Sequence, residues 1–248
     1  RINDLPYPMT TPGTLYLLPN TLGKTNGNAT HPEEVLQIIR HLDVLIVENI
    51  QNATRFLQWV GDTVPEFKIE FYLLTKKTSD IDLLEYIKPL RKGKNAGVLS
   101  EAGLPAIADP GARLVELAHK YHIPVRPLVG PSSIFLALMG SGFNGQQFQF
   151  HGYLPMDDKA CSQKIQELEG QSKRHDISQI FMETPYRNTS MITRILSQCK
   201  DDTRLCVACD LSLDSEEIIS KPVDEWKKMQ RHPDYDPSKW NKRPVIYL

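Results

Sequence analysis

Ala96-Gly97-Val98-Leu99-Ser100-Glu101-Ala102-Gly103-Leu104-Pro105 decides the fold. Its first four residues form a short run with no polar side chain, which suits a strand covered on both faces. A Ser/Glu/Gly/Pro turn follows, and Asp109-Pro110 then gives a start signal for a helix: an acidic cap with proline at the first helical position. Moving outward, Val44-Leu45-Ile46-Val47 is again apolar at successive positions rather than alternating. Strands are predicted at 14–18, 44–47, 69–73, 96–100 and 125–128, with helices at 33–42, 51–60, 80–91 and 110–121 between them. Such βαβ alternation predicts an α/β domain on a mostly parallel sheet.

A second series follows, with strands near 148–153, 177–182, 204–209, 215–219 and 244–248 and helices near 132–140, 158–169, 186–199 and 222–230. The short polar link between 204–209 and 215–219 predicts a hairpin and therefore a mixed sheet. The polar, proline-containing stretch 230–243 reads as a loop. The expected fold class is thus α/β with two α/β domains, residues 1–129 and 130–248, divided where Gly130-Pro131-Ser132 leaves the first sheet. Arg1 is not a natural start, Met9 opens the first organised segment, and residues 1–8 read as an upstream remnant.

Three strand ends share a design. Ser100 leads into Glu101–Pro105, Leu128-Val129 into Gly130-Pro131-Ser132-Ser133, and Met182-Glu183 into Thr184-Pro185, each followed by a helix. Ligands of open parallel sheets gather at the carboxyl ends of strands, where helix N-termini present free N–H groups to an anion. Every α/β protein also needs such turns, so the design alone leaves function open.

The bulk properties narrow the classes. With 248 residues, 40% of them hydrophobic, the chain can bury a sizeable core. Lys+Arg number 29 against 30 Asp+Glu, which argues against a polycation that coats nucleic acid while leaving room for a local basic groove. No apolar run is long enough to cross a membrane as a helix and no signal-peptide pattern appears, so a cytoplasmic protein is expected. Cys206-Val207-Ala208-Cys209 has CxxC spacing. On a strand, however, positions i and i+3 face opposite ways and cannot share a metal, so no metal is expected. The chain lacks GxGxxG after its first strand, the P-loop motif and the GxSxG nucleophile elbow.

The stretch from Ala96 to Pro155 carries a resemblance. Ser100-Glu101-Ala102-Gly103-Leu104-Pro105, Ala108-Asp109-Pro110-Gly111, Pro127-Leu128-Val129-Gly130-Pro131-Ser132 and Phe150-His151-Gly152-Tyr153-Leu154-Pro155 resemble SDAGTP, SDPG, PLPGPS and FxGFLP. Those motifs belong to the bacterial small-subunit rRNA ribose 2′-O-methyltransferase I family, a branch of the tetrapyrrole-methylase superfamily. Gly13-Thr14-Leu15-Tyr16, Ile46-Val47-Glu48-Asn49, Glu183-Thr184-Pro185-Tyr186-Arg187 and Ala208-Cys209-Asp210-Leu211-Ser212 continue the match, collinear over about residues 13–230.

The resemblance implies an S-adenosyl-L-methionine-dependent methyltransferase with the cofactor in a cleft between two domains, and a homodimer. By position it assigns Ser100, Glu101, Ala102, Gly103, Ile107, Pro131, Ser132, Ser133, Met182, Glu183 and Ala208 to the cofactor. Glycine would allow close backbone approach, a serine at a helix start would hold the methionine carboxylate, and Glu101 suits the cofactor's positive charge. The plain alternatives are a solvated carboxylate for Glu101, a helix cap for Ser132, and core packing for Met182 and Ala208.

The implied acceptor is small ribosomal subunit RNA, with Lys76, Lys77, Arg91, Lys92 and Lys94 as a basic rim and Arg187 directed into the cleft. Glu48, at a strand end, is a candidate base. Departures fall near these places. The family's EDTR becomes Glu48-Asn49-Ile50-Gln51, its HxHN becomes Thr75-Lys76-Lys77-Thr78, its TPIGN becomes Pro19-Asn20-Thr21-Leu22-Gly23, and the lysine of ELTK becomes Leu213. Two rival readings therefore stay open: methylation of a tetrapyrrole or other small molecule, and a non-catalytic cofactor- or RNA-binding homologue.

Overall fold

The computed structural model describes residues 11–24, 30–61 and 69–248. The segment around Met9, read above as an upstream remnant and first organised stretch, lies outside the described residues. The chain divides into two compact units, the first ending at Pro131 and the second beginning at Ser132.

The first unit is built on strands β1 (Leu15–Leu18), β2 (Val44–Val47), β3 (Glu70–Leu73), β4 (Ala96–Leu99) and β5 (Val125–Pro127). Among the described residues they form one sheet in the order β3-β2-β4-β1-β5, parallel throughout. β2 and β4 are buried at every position, as their apolar runs require of central strands. Helices α1 (Glu33–Arg40), α2 (Ile50–Val60), α3 (Asp80–Arg91) and α4 (Ala112–Lys120) connect them. Two separate apolar clusters cover the faces. One holds Leu15, Val44, Ile46 and Val98 with Leu83, Leu90 and Leu114; the other holds Leu18, Leu45, Val47 and Leu99 with Leu36, Ile39 and Leu57. α3 opens with a reciprocal capping box between Ser79 and Asp82.

One start signal misleads. α4 begins at Ala112 with Gly111 as its N-cap, not at the Asp109-Pro110 pair. A helix started at Pro110 would have to include Gly111, whose φ of 139° no helix allows, so residues 101–111 stay irregular and α4 opens one residue later.

The second unit contains α5 (Ser133–Ser141), β6 (Phe148–Tyr153), α6 (Asp158–His175), β7 (Ser178–Glu183), a 3₁₀ turn (Pro185–Arg187), α7 (Asn188–Gln198), β8 (Arg204–Cys209), β9 (Glu217–Pro222), α8 (Val223–Gln230) and β10 (Val245–Tyr247). Its sheet runs β6-β7-β10-β8-β9 among the described residues, with only β6 and β7 parallel and β8/β9 antiparallel. α6 runs past the expected end at 169. Gly170 is unfavourable in a helix but does not stop one, and the helix ends where Asp176 turns left-handed at φ 52°.

The 230–243 stretch is irregular but not a free loop. It contains a 3₁₀ turn (Pro237–Trp240) whose Trp240 is fully buried. On β8, Cys209 lies in the apolar cluster with Leu205 and Val207, whereas Cys206 takes the alternate phase of the strand. Burial pushes both thiols up, Cys206 to about 11 and Cys209 to about 12, so neither is a thiolate near neutrality. Among the described residues no group of three or more His, Cys, Asp or Glu is arranged to hold a metal ion, and no helix is long and apolar enough to cross a membrane.

Candidate functional site

In the first unit the carboxyl ends of β1, β4 and β5 bring three loops together. Asn20, just after β1, ties two of them. Its Nδ2 donates to Ser100 O at 2.8 Å and to Glu101 O at 3.2 Å, and its backbone N–H donates to Gly103 O at 2.8 Å. The Ser100 hydroxyl donates to Ala102 O at 3.1 Å, so this buried side chain shapes the turn from within. Glu101 and Ala102 are exposed at the turn's crest and Gly103 is buried beneath them. Gly103 has φ 64°, and a Cβ there would meet Leu22 Cδ2 at 3.2 Å. Gly130 packs so closely on the β1 loop that a Cβ would fall 2.0 Å from that of Pro19. The loops therefore meet through bare backbone, and both glycines are required.

Glu48 ends β2 beside this turn. Its Oε1 accepts the Glu101 N–H at 3.3 Å, while the Glu101 carboxylate accepts from Asn52 Nδ2 on α2. Burial first, and then repulsion from Asp109, raise the Glu48 carboxyl above the ordinary carboxylate range; Lys76 acts in the opposite sense. Asp109 is raised as well, again chiefly by burial and also by Glu101, with Lys76 opposing. A cavity at this edge is lined by Leu74, Thr75, Lys76, Thr78, Asp109 and Arg113 among others. Three carboxylates and one lysine thus share one end of the sheet, with the strained residues Ala106 and Ala108 between them. Ile107, between those two, is exposed.

The second unit presents two further groups. Ser132 is the N-cap of α5 yet makes no capping bond, and α5 has no acidic residue in its first turn. The hydroxyls of Ser132 and Ser133 and the free N–H groups of this helix start suit a carboxylate. At the end of β7, Glu183 is buried. Its Oε1 accepts from Thr184 N at 2.7 Å, and its Oε2 lies 3.5 Å from Arg187 Nε. Met182 is half-buried, whereas Ala208, in mid-strand between β9 and β10, is 1% exposed and offers a ligand almost no surface.

The expected basic rim is not one groove. Lys76 and Lys77 follow β3 at the carboxyl end of the sheet, but Arg91, Lys92 and Lys94 precede β4 at its amino end. Lys94 is engaged there by Glu70 at 3.3 Å, and Arg91 lies over the Tyr121 ring. These cations are near in number, but the parallel crossover puts them at opposite ends of the sheet. The roles of Asn20, Asn52 and Asp109 depend on strand order and leave no local signal in the sequence.

The family model described as Tetrapyrrole (Corrin/Porphyrin) Methylases matches residues 32–227. The chain belongs to this family. Tetrapyrrole methylases are methyltransferases, and S-adenosylmethionine is their methyl donor. Similar curated proteins carry the name "Ribosomal RNA small subunit methyltransferase I". That of Buchnera aphidicola subsp. Acyrthosiphon pisum (strain APS) is 26% identical over 223 residues, covering 89% of this chain and 75% of the relative. That of Micromonospora olivasterospora is 29% identical over 213 residues, covering 86% of this chain but only 64% of the relative. In fold, the chain is similar to the methyltransferase CobJ, with a TM-score of 0.59 and 13% identity over 96% of this chain and 93% of that one.

If the Gly103 turn holds the donor, Gly103→Val weakens donor binding at least about tenfold. A β-branched side chain at φ 64° and 3.2 Å from Leu22 Cδ2 forces the turn to shift, and the added methyls occupy the space over bare backbone that the donor would approach. Titration calorimetry with the donor reads this directly. Unchanged affinity in a folded variant takes Gly103 out of the site.

Proposed function

We propose that this tetrapyrrole methylase transfers its methyl group to RNA of the small ribosomal subunit, at a ribose 2′-hydroxyl. The observation that carries the reading is the shared name of its curated relatives, which match this chain over both units. The collinear motifs of the strand-end loops add to it. S-adenosylmethionine, when bound, supplies a methyl carbon already activated by a sulfonium.

The work left to the protein is alignment and proton transfer. In this reading Ser132 and Ser133 hold the donor's carboxylate. Within the first unit the proposed donor contacts are Glu101, Ala102, Gly103, Ile107 and Pro131; within the second they are Met182 and Glu183, with Ala208 supporting the strand beside them. A ribose hydroxyl is a weak nucleophile, and Glu48 would take its proton as the methyl passes from sulfur to that oxygen, the donor leaving as a neutral thioether. Lys76 and Lys77, at the same end of the sheet, attract the phosphates. The active species is a homodimer and works in the cytoplasm; a monomeric mass by light scattering removes the dimer from the proposal.

The deciding experiment incubates the protein with labelled donor and small subunits lacking the relatives' modification, and then maps the modified nucleotide. Label on one ribose of small-subunit RNA is expected. Label appearing only on an added tetrapyrrole overturns the acceptor assignment, and donor binding without transfer to any acceptor favours a non-catalytic homologue.

A further inference from the structure

Ahead of α1, in the first unit, the chain buries a histidine. His31 is only 5% exposed, and its ring is set against α2. The Trp59 ring meets it edge-on with centroids 5.0 Å apart, and the Phe56 ring lies at 6.2 Å. A polar ring in such surroundings needs both nitrogens partnered, and both are. Nε2 lies 2.9 Å from Pro19 O, and Nδ1 lies 2.9 Å from the Thr30 hydroxyl. A carbonyl can only accept, so Nε2 carries the proton and Nδ1 accepts from Thr30 Oγ1. Burial pushes the imidazole below its ordinary range and so favours this neutral form.

The bond ends on the loop that follows β1. Pro19 is the residue on which Gly130 packs without room for a Cβ. Its neighbour Asn20 holds the turn after β4, through its side chain to Ser100 O and Glu101 O and through its backbone N–H to Gly103 O. The helix behind the ring reaches the same turn from the other side, because Asn52 of α2 donates to the Glu101 carboxylate. One buried ring thus joins the two elements that grip residues 100–103. Pro19 is buried, and its carbonyl accepts from no other group among the described residues. Without the imidazole N–H that carbonyl is orphaned, and the loop gains by shifting to hydrate it.

We infer that His31 is a positioning residue for the methyl donor. Its Nε2–H fixes the β1 loop and, through Asn20, the Gly103 turn in the shape that binds the donor. The inference rests on the reading that this turn holds the donor.

The test is titration calorimetry with S-adenosylmethionine, with thermal melts on the same samples. His31→Leu keeps much of the bulk and loses both nitrogens. Binding must then first restore the loop, so apparent affinity falls with the competent fraction, by about 5- to 100-fold. His31→Gln places an amide N–H where Nε2–H was and restores affinity. Thr30→Val leaves the ring in place but releases its tautomer, and weakens binding by about 2- to 10-fold. A histidine with a merely structural place would lower the melting temperature of His31→Leu and leave the donor affinity of the folded protein unchanged. That result, or an equal loss in His31→Gln, overturns the inference; if His31→Leu does not fold, unchanged affinity in Thr30→Val overturns it. Gly103→Val separates the two readings. Weakened binding there with unchanged affinity in the His31 variants removes only the positioning role, whereas unchanged affinity in all of them removes the turn from the donor site as well.

Discussion

Trp240→Ala lowers the stability of the second unit by about 3–5 kcal/mol, the cost of removing a large aromatic side chain from a packed core. Trp240 is fully buried in a cluster with Trp226, Val223, Val245 and Tyr247, and its ring centroid lies 6.2 Å from that of Trp226. Its indole N–H donates to Tyr235 Oη at 3.1 Å, and Lys239 Nζ lies 4.3 Å from its ring centre. The backbone on both sides is clamped to the start of α7. Asn188 Nδ2 donates to Trp240 O at 2.9 Å and to Arg243 O at 2.8 Å, while the Thr189 hydroxyl donates to Pro237 O at 2.9 Å. Losing the ring therefore also loosens the segment that delivers β10 to the middle of the sheet. Chemical denaturation followed by near-UV circular dichroism measures the loss. A midpoint within error of the unaltered protein's would mean that the ring contributes no packing.

That tryptophan also marks where the sequence stops being legible. Apolar runs such as Val44–Val47 and residues 205–209 declare themselves because central strands must be apolar on both faces, and those strands fall at the expected positions. The 230–243 stretch has no period, since one buried ring in a run of polar residues yields neither a helical nor a strand pattern. The candidate site is legible to a similar depth. The Gly-, Pro- and Ser-bearing turns can be picked out one by one, because such turns use few residue types. That Asn20 joins the β1 and β4 loops, that Asp109 acts on Glu48, and that Lys94 lies at the far end of the sheet from Lys76 all follow from the order β3-β2-β4-β1-β5. Strand order is set by which surfaces bury best in three dimensions, and no local pattern records it.

Glu48→Gln is expected to cut methyl transfer by about 10²- to 10⁴-fold, the usual worth of a positioned general base, while leaving donor affinity in place. The amide is isosteric, and its oxygen still accepts the Glu101 N–H, so the turn keeps its shape. Stability should move the other way. Burial and Asp109 raise the Glu48 carboxyl above its ordinary value, so between that value and the raised one the folded state holds a proton that the unfolded chain releases. Stability contributed by this group is then present at low pH and lost as pH rises through the window, and at neutral pH the ionised carboxylate is a net cost. Replacing it with a neutral amide removes that cost, so the variant melts higher near neutrality, and its advantage disappears at acidic pH. Activity of the unaltered enzyme follows the ionised base and rises with pH through the same window. Asp109→Asn removes a repelling charge, so it should move that rising limb to lower pH without abolishing turnover. Single-turnover rates over a pH series, with thermal melts on the same samples, test these expectations together. Full activity in Glu48→Gln assigns the carboxylate a purely structural place at the end of β2. An acid limb left unmoved by Asp109→Asn separates the two carboxylates.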